Sequence, residues 1–130
     1  MTAVLRRRLL SIIELGGYPN FAPLYERAGY EFSTIVSMRK ALAALKQSVP
    51  DVVVAEFNFQ SDFRDRTSSL ESLLAVLQRH PRTRVIVFYD KEQAHQLARL
   101  QAQHSIFATL AYPIAEAELE DCLRRAAATG

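Results

Sequence analysis

The sequence predicts an α/β domain, a doubly wound five-stranded parallel sheet with helices on both faces. Short β-like runs at 8–13, 30–36, 51–57, 84–89 and 106–112 alternate with helical patterns. The runs "DVVVAEF" and "RVIVFY" are apolar without alternation, which is typical of strands covered on both faces. Helices between successive strands indicate parallel pairing, and right-handed crossovers make the doubly wound arrangement the simplest solution.

The helical segments are defined by apolar residues that recur every three or four positions. Two pairs, Ser68 with Glu71 and Asp90 with Gln93, have the spacing of a capping box and predict helix starts. Three apolar stripes are predicted to face the core: Met38, Leu42, Leu45 and Val49; Leu70, Leu73, Leu74 and Leu77; Leu119, Cys122, Leu123 and Ala126.

Length and composition indicate a single domain over residues 1–130 with an ordinary globular core. Sixteen basic and 14 acidic residues leave a net charge of only +2, so electrostatics gives no argument for nucleic-acid binding. The one cysteine forms no internal disulfide, which favours a reducing compartment. No stretch approaches the roughly 20 apolar residues of a membrane span. We therefore expect a cytoplasmic protein without membrane contact.

Three longer stretches resemble the receiver domains of bacterial response regulators. The segment "ERAGYEFSTIVSMRKALAALKQSVPDVVVAE" is similar to the second and third strand units of that family, and "RHPRTRVIVFY" to the approach to its fourth strand. The segment "LAYPIAEAELEDCLRRA" resembles the fifth strand and last helix. The resemblance spans about residues 6–127. It implies a flavodoxin-like fold with strand order 2-1-3-4-5 and a functional crevice at the carboxyl ends of the strands.

The resemblance places Glu56 where receiver domains keep their phosphoacceptor aspartate. Two acidic residues that help to hold Mg²⁺ correspond here to Glu14 and Leu15, so one oxygen ligand is missing. Asn58 lies where the family offers a backbone carbonyl to the metal. We expect Glu56 to face the crevice, where water or hydrogen-bond donors relieve the cost of its burial.

Two further positions lack the side chains that the resemblance leads us to expect at a phosphorylation site. Tyr89 replaces the small hydroxyl residue at the end of strand 4, and Tyr112 replaces the lysine before the proline of strand 5. A tyrosine donates one hydrogen bond but has no positive charge to pair with a phosphoryl group. Phosphoryl transfer depends on positioning and on neutralising charge. These residues therefore predict a site that takes no phosphoryl group, with no metal, no cofactor and no enzymatic activity.

The remaining role of Glu56 has two interpretations. It is either a solvated relic of the site or a structural lock to which Tyr89 or Tyr112 donates a hydrogen bond. The following stretch, "FNFQSDFRDRTSS", is rich in phenylalanine and arginine. Its Phe59 and Phe63 either fold over the crevice or form an exposed interaction surface of hot-spot composition.

A second interaction surface is predicted on helix 4, strand 5 and helix 5, where receiver relatives commonly pair. Helix 5 begins with acidic residues and helix 4 has cations across the intervening strand. A two-fold contact would bring these groups together, and it also needs an apolar centre. The residues assigned to this homodimer face are Lys91, Leu97, Arg99, Leu100, Leu110, Glu116 and Glu120.

The function expected from the sequence is a receiver-like module that binds another protein, not yet identified, in bacterial signal transduction, without phosphorylation. One alternative is a flavodoxin-like module that binds a small ligand in a crevice lined by Glu14, Tyr89 and Tyr112. The other is a receiver phosphorylated at an unconventional acceptor.

Overall fold

The computed structural model of the chain describes residues 7–13, 20–57 and 69–129. Five strands and five helices alternate along these residues. The strands are β1 (Arg7–Ile12), β2 (Tyr30–Ile35), β3 (Val52–Glu56), β4 (Arg84–Tyr89) and β5 (Ala108–Ala111). The helices are α1 (Ala22–Arg27), α2 (Met38–Gln47), α3 (Ser69–Leu77), α4 (Ala94–Gln103) and α5 (Glu116–Thr129), with a short 3₁₀ turn, Lys91–Gln93, before α4.

All five strands pair in parallel in the order β2-β1-β3-β4-β5. This confirms the predicted fold class and strand order. The central strand β3 lies between β1 and β4, and its residues are all buried. Because the strands are parallel, their carboxyl ends meet at one edge of the sheet, where the predicted crevice would lie.

The core has two apolar layers, one on each face of the sheet. One layer packs α2, α3 and α4 against alternate residues of β1, β3 and β4, including Val53, Ala55 and Val87. The other packs α1 and α5 against the remaining alternate residues, including Val52 and Val54. The predicted stripes of α3 and α5 are fully buried, whereas Val49 lies beyond the end of α2 and is half-buried.

Helix starts follow local capping chemistry. Ser37 precedes α2, and its hydroxyl accepts a hydrogen bond from the backbone N–H of Lys40 at 3.4 Å. Asp90 caps the 3₁₀ turn by accepting from the N–H of Glu92 at 2.9 Å. The predicted cap Ser68 lies outside the described residues.

Buried tyrosines tie the α1/α5 layer to the sheet. The hydroxyl of Tyr30 in β2 donates to the Leu123 carbonyl of α5 at 2.7 Å. Tyr25 of α1 shares a hydrogen bond with Ser11 of β1, and both residues are buried. Burial raises the pKa of Tyr25 to about 12, although the bond with Ser11 acts in the opposite direction. Arg27 of α1 also forms an ion pair with Glu120 of α5 at 3.1 Å.

None of the helices in the described part of the chain is long and apolar enough to cross a membrane.

The buried Tyr25 predicts a loss of stability at alkaline pH. Its pKa is higher in the folded chain than the ordinary value of 10.0, so the unfolded chain releases this proton first. The contribution of protonated Tyr25 to the free energy of unfolding is therefore complete below pH 10 and is lost as the pH rises to about 12. It amounts to up to about 3 kcal/mol. Urea unfolding of Tyr25→Phe and wild type should show a shallower fall of unfolding free energy over this range in the variant. Curves that stay parallel would contradict this account.

Candidate functional site

The carboxyl ends of the strands are held together by backbone hydrogen bonds that extend beyond the paired residues. The N–H of Ile13 donates to the Ile35 carbonyl at 3.1 Å, and that of Phe57 to the Phe88 carbonyl at 2.8 Å. The N–H of Tyr112 donates to the Tyr89 carbonyl at 2.8 Å. The residues at this edge are therefore positioned by the sheet itself.

Glu56 ends β3 in an apolar setting. It lies opposite Phe88 of β4, and strand alternation puts it on the same face as Val52 and Val54, toward α1 and α5. Phe21, just before α1, packs edge-on against Phe88 at a ring-centroid distance of 5.8 Å. Glu56 is only 5% exposed. This burial argues against a solvated glutamate, because the residue belongs to a buried row of the sheet. That Glu56 faces the crevice, with hydrogen-bond donors relieving its burial, stays a prediction.

The burial of Glu56 limits its chemistry. An ionised carboxylate removed from water requires hydrogen-bond donors around it, and a phosphodonor requires access to the acceptor oxygen. An exposed fraction of 5% leaves little access. The structure therefore supports the interpretation of Glu56 as part of the folded architecture over that of a solvated relic.

The two tyrosines assigned to the site lie in different environments. Tyr89 ends β4 and packs against the layer of α2, α3 and α4, on the other side of the sheet from Val52, Val54 and Glu56. Tyr112 follows β5, is joined to Pro113 by a cis peptide bond and is 46% exposed. The sheet therefore separates the Tyr89 ring from Glu56, which leaves Tyr112 as the candidate donor in the lock hypothesis.

Several predicted site residues fall outside the described part of the chain. These are the metal-pocket positions Glu14, Leu15 and Asn58 and the aromatic residues Phe59 and Phe63. The proposed loss of the Mg²⁺ site and the proposed aromatic cover of the crevice both depend on them, so both stay predictions. Among residues 7–13, 20–57 and 69–129, no three His, Cys, Asp or Glu side chains form a group that could hold a metal ion.

The predicted homodimer face needs a correction at its centre. Leu97 and Leu100 of α4 are buried in the layer formed with α2 and α3, and Leu110 of β5 is buried in the α1/α5 layer. All three are therefore part of the core rather than an exposed apolar patch. Apolar residues at this spacing on a helix also fit positions that hold the helix against the sheet, which is where Leu97 and Leu100 lie.

The charged residues of that face divide into two groups. Lys91, Arg99 and Glu116 are exposed as predicted. Glu120 is half-buried and already forms ion pairs with Arg27 at 3.1 Å and Arg124 at 3.6 Å. Its charge is therefore compensated within the chain.

The sequence alone does not single out the aromatic pair at this end of the sheet. Phe21 and Phe88 read as ordinary apolar positions. A signal was available, because alternation along β3 puts residue 56 on the same face as residues 52 and 54. Which face that is, and that an aromatic residue before α1 packs there, depends on the packing of a separate helix.

Comparisons with known proteins establish the fold. No protein-family model and no curated protein sequence matches the chain. Among solved structures, a response regulator receiver domain protein from Clostridium thermocellum has a TM-score of 0.74 at 18% identity, over 95% of each chain. The signal receiver domain of an HD domain-containing protein from Pseudomonas fluorescens Pf-5 has a TM-score of 0.74 at 19% identity, over 96% of this chain and 97% of that one.

A candidate pilus assembly-related protein from Burkholderia pseudomallei K96243 is similar as well, with a TM-score of 0.69 at 18% identity over 98% of this chain and 96% of that one. These structures share the five-stranded receiver fold with the chain. At such identities the likeness defines the fold and leaves the activity open.

Tyr112 offers a test of the lock hypothesis. A solvent-accessible side chain is usually replaceable within about 0.5 kcal/mol, whereas removal of a buried phenylalanine costs about 3–5 kcal/mol. We expect Tyr112→Lys to keep the unfolding free energy near that of wild type, with Phe88→Ala as the destabilised reference. Urea unfolding measures both. A loss for Tyr112→Lys approaching that of Phe88→Ala would show that Tyr112 locks the folded state.

Proposed function

We propose that this chain is a receiver-fold module that acts through contact with another protein in bacterial-type signal transduction and takes no phosphoryl group. The observation that carries the proposal is the burial of Glu56 at the phosphoacceptor position, opposite Phe88. A receiver switches because its acceptor is open to a donor and changes charge. A buried glutamate is neither open nor switchable by that route.

The surrounding residue types support the proposal. The half-exposed Tyr112 stands where a lysine would pair with the phosphoryl oxygens, and tyrosine supplies no positive charge. Leu15 supplies no oxygen to a metal. Both the charge and the metal that stabilise phosphoryl transfer would have to come from elsewhere.

Glu56 also carries less charge than a phosphorylated aspartate. A glutamate has one negative charge, whereas a phosphoryl group adds nearly two. Glu56 is therefore a poor mimic of an activated receiver. We propose that it instead helps to maintain a single conformation, whose surfaces are always available to the partner.

The first test is incubation with acetyl phosphate and Mg²⁺, followed by intact-mass measurement. We expect no adduct of one phosphoryl group on the wild-type chain. A stoichiometric adduct that disappears in Glu56→Gln would overturn the proposal. An adduct that persists in Glu56→Gln would also overturn it, in favour of a receiver with an unconventional acceptor.

A rebuilt variant provides the matched positive control. Leu15→Asp, Glu56→Asp and Tyr112→Lys together restore three of the residue types that phosphoryl transfer requires. Labelling of this triple variant but not of wild type would assign the loss of phosphorylation to these three positions. A folded triple variant that stays unlabelled would assign the loss to what remains, which is Tyr89 and the burial of position 56.

Self-association through α4, β5 and α5 is a separate prediction, and it now depends on charge alone. Exposed charge pairs contribute at most about 1 kcal/mol each. With Leu97, Leu100 and Leu110 in the core, we expect any pairing to be weak and sensitive to salt. Sedimentation of wild type and of Arg99→Glu measures it. A tight dimer that is indifferent to Arg99→Glu would place the interface on another face.

A further inference from the structure

Two surface grooves meet at His80, away from the carboxyl edge of the sheet. The first, of about 430 Å³, lies between α2 and α3 and includes Leu45, Lys46, Val76 and Arg79. The second, of about 490 Å³, runs from the end of α3 to the start of β4 and to the residues before β5. His80 lines both grooves. The two adjoining grooves are here called, together, the His80 groove.

The His80 groove is basic. Neither of its two parts is lined by an aspartate or a glutamate, whereas Lys46, Arg79, His80 and Arg84 all line it. Lys46 and Arg79 are exposed, and among the described residues neither forms an ion pair. The net charge of the whole chain is only +2, so this concentration of cations is local. A surface of this kind attracts negatively charged partners.

The groove also presents apolar surface. Val76 is 36% exposed, which is unusual among the large hydrophobic residues of the described chain. Ile106 is partly buried in the second part of the groove, and Leu45 lies beneath the first. A partner that fits must therefore combine carboxylates with apolar side chains.

The phenylalanine ring in the groove lining already has two guanidinium groups over it. The guanidinium of Arg84 lies over the ring of Phe107 at 5.5 Å, and that of Arg125 lies over the same ring at 5.8 Å. Recognition of single-stranded nucleic acid relies on aromatic side chains on which bases stack. Phe107 is instead engaged by cations, which leaves His80 as the remaining aromatic side chain of the lining and favours a carboxylate-bearing partner over single-stranded nucleic acid.

We infer that the His80 groove is the docking site for an acidic segment of a partner protein, in which carboxylates alternate with apolar side chains. The carboxylates pair with Lys46, Arg79 and Arg84, and the apolar side chains contact Val76 and Ile106. The inference rests on the proposed interaction function, since it names the surface and the chemistry of the partner. It places docking on α2, α3 and the amino ends of β4 and β5, apart from the α4–β5–α5 face.

The test uses a synthetic peptide of alternating glutamate and leucine, followed by ¹⁵N-resolved NMR of the whole chain. Shifts are expected at the backbone amides of the groove, and binding should weaken as salt is added. The double variant Lys46→Glu, Arg79→Glu should weaken binding by about tenfold or more. Both side chains are exposed, so the fold should survive, and the spectrum of the free variant verifies this.

The matched control is Lys40→Glu with Lys91→Glu, which changes the net charge by the same amount. Both residues are exposed, and neither lines the groove. We expect this control to bind the peptide like wild type. An equal loss in both double variants would reduce the effect to general charge attraction and overturn the inference.

Three other probes separate the remaining classes of partner. They are a lysine–leucine peptide, an oligothymidylate and vesicles containing phosphatidylserine. Stronger binding of any of these at the groove, or no shift at the groove with the acidic peptide, would also overturn the inference. Phosphorylation is measured separately by mass. If wild type is phosphorylated and still binds the acidic peptide at the groove, the proposed function alone is rejected. If wild type is not phosphorylated and the peptide causes no shift at the groove, this inference alone is rejected.

Discussion

The burial of β3 on both faces is the constraint on which the rest of the structure depends. Val52, Val53, Val54 and Ala55 contact two separate helical layers, and none of them is more than 1% exposed. Each such side chain contributes on the order of 1–3 kcal/mol when removed from water. This burial requires neighbouring strands on both sides and helices above and below. The strand order and the two-layer core satisfy that requirement.

The same constraint determines the state of Glu56. Side chains alternate between the two faces of a strand, so Glu56, at the end of β3, is on the same face as Val54. It is paired with Phe88 of β4. In a phosphorylated receiver an open pocket must exist at this point. Here Phe21 and Phe88 pack together beside it. Glu56 therefore lies at the edge of the core.

Charged side chains in the described chain are concentrated away from Glu56. Carboxylates are frequent at the start of α5, and Glu120 of this helix forms an ion pair with Arg27 of α1. The surface around α2 and α3 is basic. This separation of charge leaves a small net charge but two surfaces of opposite character. Surfaces of opposite charge favour different partners, because like-charge contacts are penalised.

The sequence by itself determined the fold class, the element order and most of the core, because apolar periodicity and continuous strand runs are local signals. The resemblance to receiver domains also placed Glu56 and Tyr112 at candidate site positions, which stays a prediction. Only the tertiary structure decided which apolar residues are surface and which are core. Leu97, Leu100 and Leu110 have the same pattern in either case, and their burial depends on neighbours distant in sequence. The burial of Glu56 likewise arises from packing between separate elements, which periodicity does not encode. The same holds for the placement of Lys46, Arg79 and Arg84 along two adjoining grooves.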